Sequence, residues 1–469
     1  MSSRKIFGDA KMMKQTNRRT RWLLPLLLVI AFALFLVQPK QLPPEQSMAV
    51  TEDMTLDDIA EQFFWHIVER SDQSILQNFE MTEDIRSWVQ TGKYRSAARE
   101  FRRMLGDVGE LQKKEIVQHE PPRQSVELFF SGKTNSFKVR VSFQENQIVS
   151  IRYFPWNDES AHGGTPIQLE TPTGTIYGTL LTPEQATKPV PIVLILAGSG
   201  PTDRNGNQLP AIHTDTYRMI AEALQQNGIA SVRFDKRGIG ASDAAGMEES
   251  EMRFEHYVED AVGWLELLSQ EDKYSKIIVL GHSEGSLIGM LACSQSDTTQ
   301  SGRADGFISL CGAGRPVSEV LREQMSRQPR FVRDAFLPIL DELETGNTVE
   351  NVPADLPLVR PSVQPYMISW LRYDPRLEIK KLTFPMLIVQ GTTDIQVSVT
   401  DAENLSAANP QAKKVVIKGM NHTLKNSLTT FTFLQQGTYT NPKYPLHKDL
   451  MPSIVQYIGD LPMHQSPNL

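Results

Sequence analysis

Cysteine is scarce in this chain: Cys293 and Cys311 are the two among 469 residues, and no C-x-x-C spacing occurs. That excludes a disulfide framework and a cysteine-based metal site. Both thiols fall in stretches that read as buried, where a free cysteine behaves as a small hydrophobe. Cationic excess is also lacking. Lys and Arg number 48 against 55 Asp and Glu, a formal net charge of −7, and no finger, helix-turn-helix or aromatic-basic pattern is present, so nucleic acid is not an expected partner. Neither G-x-x-x-x-G-K-[ST] nor G-x-G-x-x-G occurs, which argues against a nucleotide-phosphate cradle.

Long apolar runs are missing with one exception, the uncharged stretch Trp22 to Gln38. Seven cations precede it (Arg4, Lys5, Lys11, Lys14, Arg18, Arg19 and Arg21), a pattern that orients a membrane segment with its basic end in the cytoplasm. Seventeen residues is near the short limit for crossing a bilayer. The small-residue sequence Ser47-Met48-Ala49 lies well beyond the run, which disfavours removal by signal peptidase. The expectation is therefore a basic cytoplasmic segment (1–21), an uncleaved single-pass anchor in the cell membrane (22–38), a Pro-rich linker (39–54), and everything after it outside the cytoplasm. Cleavage of the anchor would instead release the protein as a secreted one.

Residues 55–155 read as helices followed by strands. Leu56, Ile59, Ala60, Phe63, Phe64, Ile67 and Val68 recur at helical spacing, and a second helix is expected near Ser96 to Leu105. Three alternating runs, Ser125 to Phe130, Ser136 to Phe143 and Ile148 to Phe154, then predict an antiparallel meander. This part resembles the small α+β, SnoaL-like domain found ahead of some bacterial extracytoplasmic hydrolases. No catalytic motif accompanies it, and His66 and His119 read as structural or exposed. A packing or gating role is the expectation.

From residue 165 to 469, strands and helices alternate, which predicts βα crossovers and a mostly parallel sheet. An antiparallel edge opens it, at Ile167 to Glu170 and Gly174 to Leu181. The stretch Lys276 to Ala292 organises the rest: an apolar, β-branched strand, the corner Gly281-His282-Ser283-Glu284-Gly285, and a small-residue helix. A G-x-S-x-G corner lifts a serine hydroxyl clear of the backbone, and its glycines let helix and strand approach closely. Ser283 is thus the candidate nucleophile. A base must follow it in the order Ser, Asp/Glu, His, leaving His422, His447 and His464; only His422 comes directly after a predicted strand. Asp394 follows the strand Pro385 to Gln390, whereas Asp374 and Asp401 suit capping or solvated roles, and Cys311-Gly312-Ala313-Gly314 offers no carboxylate after its strand. Glu284 supplies one oxyanion-hole N–H, at a helix N-terminus. The second donor should come from the small-residue loop after Pro191 to Leu196, with Ser199 first and Gly200 next. His282 adjoins the nucleophile and is expected to be structural or substrate-lining.

Ala197-Gly198-Ser199-Gly200-Pro201-Thr202-Asp203-Arg204-Asn205-Gly206, Asp235 to Ser242, Gly281 to Gly285, Gly391 to Val397 and Met420-Asn421-His422 occur in an order and spacing that resembles the α/β-hydrolase superfamily. More narrowly they resemble its bacterial esterases and serine-aminopeptidase-like hydrolases. The resemblance implies an α/β-hydrolase fold, a mostly parallel sheet with helices on both faces, and a Ser283, Asp394, His422 triad. Ala197 stands where many members have His, which bears on the identity of the loop's donor. The long stretch 314–384 between two strands, with Val320, Leu321, Met325, Phe331, Phe336, Leu337, Leu340, Tyr366, Met367 and Trp370, predicts a helical cap. The expected activity is hydrolysis of small carboxylic esters, short or medium in the acyl part, without metal or cofactor. A serine peptidase or other acyl hydrolase with the same triad is the alternative within the class. A catalytically idle, membrane-anchored binding module is the rival outside it.

Overall fold

The computed structural model describes residues 54–462, apart from 70–74, 93, 96–109, 119–122, 132–135, 156–162, 185–187, 209–210, 300–301 and 354–355. The basic segment, the apolar run, the linker up to residue 53 and the helix expected near Ser96 lie outside the described residues. Among the described residues no helix is long and apolar enough to cross a membrane.

The first part packs α1 (Leu56–Glu69), α2 (Ile75–Asn78) and α3 (Glu83–Gln90) against an antiparallel sheet. Its strands, β1 (Glu110–Gln118), β2 (Arg123–Ser131), β3 (Ser136–Gln144) and β4 (Gln147–Pro155), pair in sequence order. The expected meander is β2 to β4. Strand β1 escaped the sequence reading because Lys113, Lys114 and Glu115 interrupt its alternation, as suits an edge strand that must discourage further pairing. Phe63, Phe64 and Ile67 of α1 bury against Val126, Leu128, Phe130, Val139, Val141 and Phe143. On the other face, Glu127 pairs with Lys138 at 2.9 Å and with Arg140, and Arg140 also pairs with Asp243 of the larger unit.

That larger unit is built on eight strands: β5 (Thr165–Thr171), β6 (Gly174–Leu181), β7 (Val190–Leu196), β8 (Ala230–Phe234), β9 (Tyr274–His282), β10 (Gly306–Leu310), β11 (Met386–Gly391) and β12 (Lys413–Ile417). They lie in the order β12-β11-β10-β9-β7-β8-β6-β5. Strands β7 to β12 pair parallel, while β5 and β6 form the expected antiparallel edge. The connections carry α4 (Thr216–Gln226), α5 (Phe254–Ser269), α6 (Glu284–Thr299), α7 (Val317–Ser326), α8 (Arg330–Glu344), α9 (Gln364–Trp370), α10 (Pro375–Glu378), α11 (Val399–Ala408), α12 (Thr432–Thr440) and α13 (Leu450–Asp460). This is the α/β-hydrolase fold.

Period-two geometry explains why the central strands are apolar throughout. Ile192, Leu194 and Leu196 face one core with α5, α6 and α11, whereas Val193 and Ile195 face the other with α4 and α13. Residues 317–371 form a separate core in which Met325, Phe336 and Leu340 are buried, while Phe331 is exposed. The expected cap is thus mostly self-packed.

One close approach positions the site. A Cβ on Gly281 would lie 2.2 Å from the Gly285 carbonyl oxygen, and one on Gly285 would lie 2.4 Å from that of Leu196. Strand β9, helix α6 and strand β7 therefore touch through bare backbone. Gly285→Ala is expected to cost about 2 kcal/mol or more by overpacking and to lower the thermal unfolding midpoint by several degrees; an unchanged midpoint by circular dichroism would contradict this packing.

Candidate active site

Ser283 sits between β9 and α6 with φ +55°, a left-handed conformation rare for a residue with a side chain. Backbone bonds hold it there: its N–H donates to the Leu310 carbonyl at 2.9 Å, and its carbonyl accepts from Ser286 N–H at 3.0 Å. The hydroxyl-bearing residue thus occupies a corner fixed from both sides.

Asp394 and His422 come from the loops after β11 and β12, two and three strands along from β9. His422 Nδ1 lies 2.8 Å from Asp394 Oδ2, and the two side chains are 7% and 0% exposed. Asp394 Oδ1 accepts from the N–H groups of Gln396 (2.8 Å) and Val397 (3.0 Å), and Oδ2 also accepts from Gln390 Nε2. Burial pushes this carboxyl up, but the His422 imidazole and those N–H groups outweigh it and hold Asp394 below the usual carboxylate range. An ionised Asp394 only accepts, so Nδ1 of His422 carries the proton and Nε2 is left as the basic nitrogen. Ser283 and His422 line one cavity of about 70 Å³, with Gly198, Ser199, Thr202, Gln208, Thr216, Tyr217, His282 and Tyr439 among its other walls.

Cys311 lies beside this pair, its sulfur within 4.8 Å of the Asp394 and His422 ligand atoms. Burial pushes the thiol well above its ordinary value, and Asp394 adds to that. A protonated thiol is a poor metal ligand, and His422 Nδ1 is engaged with Asp394, so the trio reads as a hydrogen-bonded set.

The loop after β7 is stiffened by polar side chains turned inward. Asp203 Oδ1 accepts from Asn205 and Asn207 N–H at 2.8 and 2.9 Å, while Asp235 accepts from Arg204 through both backbone and guanidinium. Loss of hydration, reinforced by Asp235, pushes the Asp203 carboxyl up to about 7. Ser199 lines the cavity; Gly200 (φ +87°) and Glu284 stand directly next to lining residues without lining it themselves. Gly198 cannot serve as the oxyanion donor, because its N–H is spent on Tyr217 Oη at 3.0 Å.

That bond begins a chain. Tyr217 Oη lies 2.8 Å from His282 Nδ1, and His282 Nε2 lies 2.9 Å from the His422 carbonyl oxygen. A carbonyl only accepts, so Nε2 of His282 donates, Nδ1 accepts from the tyrosine hydroxyl, and the hydroxyl accepts from Gly198. Four partners thereby tie the loop after β7 to the backbone of His422. Burial, then the neighbouring His422, push His282 down to about 3, so it stays neutral. On the opposite side, Lys236 Nζ donates to the Gly198 carbonyl and to Glu284 Oε2, both at 2.9 Å, and lies 4.1 Å from the Tyr257 ring centroid. Burial pushes this ammonium down, but Glu284 more than offsets it and keeps Lys236 charged. Tyr366 of α9 donates to Glu284 Oε1, so the cap is bonded to the residue after the nucleophile.

Of the residues that sequence reasoning singled out, Ser283, His422 and Ser199 line one cavity and Asp394 stands behind it, bonded to His422; His282, expected to be structural or substrate-lining, lines the same cavity. That reasoning missed Tyr217, which carries no local signal, and the work of Lys236, whose signal was a lysine directly after an apolar strand. Asp374 and Asp401 cap helices, through Arg376 N–H and Ser398 N–H respectively, as expected.

Residues 211–380 match the family described as Serine aminopeptidase, S33 (Hydrolase_4), a span that contains Ser283 but neither Asp394 nor His422. The chain is 26% identical over 257 residues to Esterase EstD of Thermotoga maritima, covering 53% of this chain and 59% of that relative. It therefore spans less than two-thirds of that relative's length. Among solved structures it is similar to Est1E of Butyrivibrio proteoclasticus with ferulic acid bound, at TM-score 0.44 and 17% identity over 63% of this chain and 100% of that one. Proline iminopeptidase of Mycobacterium smegmatis is another, at TM-score 0.41 and 13% identity over 63% and 98%.

Because the folded chain refuses the proton that unfolded His282 binds below about pH 6.5, stability should fall as pH drops from 6.5 towards 3. His282→Gln should remove one proton from that dependence, about 1.4 kcal/mol per pH unit. Urea denaturation across this window checks it, and equal slopes in the two proteins would contradict the neutral, buried imidazole.

Proposed function

We propose that this chain is a serine hydrolase that cleaves carboxylic esters of short or medium acyl length. The observation that carries the reading is the Asp394–His422 pair, 2.8 Å apart and shielded from water, facing the cavity that Ser283 also lines. In this reading His422 Nε2 takes the Ser283 proton as Oγ attacks the ester carbonyl. The oxyanion is met by the N–H groups of Glu284 and Ser199. Collapse breaks the bond to the alcohol, which leaves with the proton from His422; water, activated by the same nitrogen, then hydrolyses the acyl-enzyme.

Charge favours an ester over a peptide with a free amino terminus. No Asp, Glu, Lys or Arg is among the cavity's lining residues. The carboxylates that could hold an α-ammonium are occupied elsewhere: Glu284 by Lys236 and Tyr366, Glu323 by Arg315 and Arg327, and Glu319 lies 3.7 Å from Arg376. A volume of about 70 Å³ is small beside the roughly 300–1,000 Å³ of drug-sized sites, which favours a short acyl group. The relative named an esterase supports the same class of reaction. The reading retains residues 22–38 as an anchor and the catalytic part outside the cytoplasm.

A fluorophosphonate probe should label the full-length wild type and fail with Ser283→Ala and His422→Ala. Ser283→Ala should cut turnover of p-nitrophenyl esters by about 10⁴-fold or more, with acetyl and butyryl esters faster than long-chain ones and aminoacyl amides slow. Ester turnover unaffected by Ser283→Ala would overturn the assignment, and faster aminoacyl amides would move it to the peptidase reading.

A further inference from the structure

Between Glu403 and Asp449 the chain carries six lysines and neither Asp, Glu nor Arg, in a protein whose net charge is −7. Lys425 is buried, its ammonium on the Thr214 carbonyl. Lys413, Lys414, Lys418, Lys443 and Lys448 are exposed. The same stretch holds most of the large apolar side chains that the described residues leave in solvent: Val416, Leu428, Phe431, Phe433, Leu434 and Tyr444, six of nine. Leu428 is 93% exposed, Phe433 78%, Phe431 73% and Leu434 65%.

Backbone bonds bring Lys418 and Lys443 towards the exposed apolar side chains, whereas Lys413 and Lys414 open β12 at the far end of the strand. Ser427 N–H donates to Gly419 O at 2.7 Å, setting Lys418 beside Leu428. The Asn441 N–H bonds Gly437 O, and a Cβ on Gly437 would lie 3.0 Å from Tyr444 Oη, so the segment carrying Lys443 folds back on α12. The inner side of α12 faces the candidate site: Gln435 donates to Thr393 O, Thr438 accepts from Asn421, and Tyr439 lines the cavity. The exposed apolar side chains are thus the outside of one wall of the site.

We propose that this face docks the protein on a bilayer rich in anionic lipid, with Leu428, Phe431, Phe433 and Leu434 entering the interfacial layer and Lys418 and Lys443 meeting headgroup phosphates. Side chains so exposed form a protrusion, which a soft lipid interface can receive. Lysines in a stretch without Asp or Glu between residues 404 and 448 supply the complementary field for an anionic surface. The inference stands apart from the triad and requires no catalysis.

Both native cysteines are buried, at 1% and 0% exposure, so the full-length chain can take an environment-sensitive thiol dye at Phe433→Cys. With vesicles of phosphatidylcholine and phosphatidylglycerol, the emission should shift blue, rise several-fold and be quenched by doxyl-labelled lipid, and the response should weaken as salt screens it. Leu428→Cys serves if Phe433→Cys misfolds. Dye at Leu377→Cys, exposed elsewhere, should not respond, which separates insertion of this face from tethering by residues 22–38. Lys418→Glu with Lys443→Glu should weaken the response about tenfold or more, since each lysine at an anionic membrane surface adds on the order of 1 kcal/mol. A dye unquenched in anionic vesicles would overturn the proposal, as would a response that follows protein concentration without lipid, which would mark an interface between copies.

Discussion

Everything at the candidate site hangs on backbone meeting backbone at the β9–α6 corner. Glycine at 281 and 285 lets strand β9, the start of α6 and the end of β7 come within distances that no Cβ could occupy. That approach forces Ser283 to φ +55°, and such strain persists only where the surroundings over-determine it. Here they do, since the Ser283 amide is tied to β10 and its carbonyl to the first turn of α6. The corner also brings the amide of Glu284 to the free end of a helix, where N–H groups lack intrahelical partners and the dipole favours negative charge. In the proposed reading, the position of Ser283 and the exposure of the Glu284 amide to an anion are therefore two results of one packing constraint.

Two polar networks then hold the remaining parts against that corner, and they differ in electrical character. The one through Gly198, Tyr217, His282 and His422 is neutral, with His282 held at about 3. A charged imidazole there would stand with its ring centroid 5.0 Å from that of His422 and oppose protonation of the base. The other network, Lys236 with Glu284, is charged but internally balanced, and its ammonium grips the oxyanion loop by the Gly198 carbonyl. Gly198 is thus held at both its N–H and its C=O, which aims the following amide, that of Ser199, rather than its own.

The strands, their mostly parallel pairing with an antiparallel edge, and the candidate site residues at strand ends were readable because they rest on local signals: continuous apolar runs for strands buried on both faces, glycines at a corner, and polar residues after strands. Strand β1 was not, since lysines on an edge strand erase the alternation that marks a half-buried one. Tyr217 and Tyr366 were invisible for a different reason. Each sits in an ordinary amphipathic helix, and its hydroxyl acquires meaning only when the fold brings it to His282 or Glu284, 65 and 82 residues away in sequence. The motif at Asp203 and Arg204 was visible as a resemblance, but its physical content, a loop whose buried carboxylates satisfy its own backbone, required the geometry.

Charge is distributed in opposite ways inside and outside the wall formed by α12. Inward, the cavity presents hydroxyls, amides and imidazoles with no Asp, Glu, Lys or Arg among its lining residues, so binding there depends on shape and hydrogen bonding. Outward, α12 and the segment before it expose aromatic and aliphatic side chains that gain nothing from water, with Lys418 and Lys443 on adjoining segments. Under the proposed function, a neutral interior suits an uncharged ester, whose reaction creates charge only in the transition state, where pre-set amide groups would meet it. Asn421 couples the two surfaces: its Nδ2 bonds Thr438 of α12 at 2.7 Å, while its Oδ1 accepts from Lys425 N–H and Thr423 Oγ1. Since Asn421 immediately precedes His422, the helix bearing the exposed face is also part of what holds the base in register.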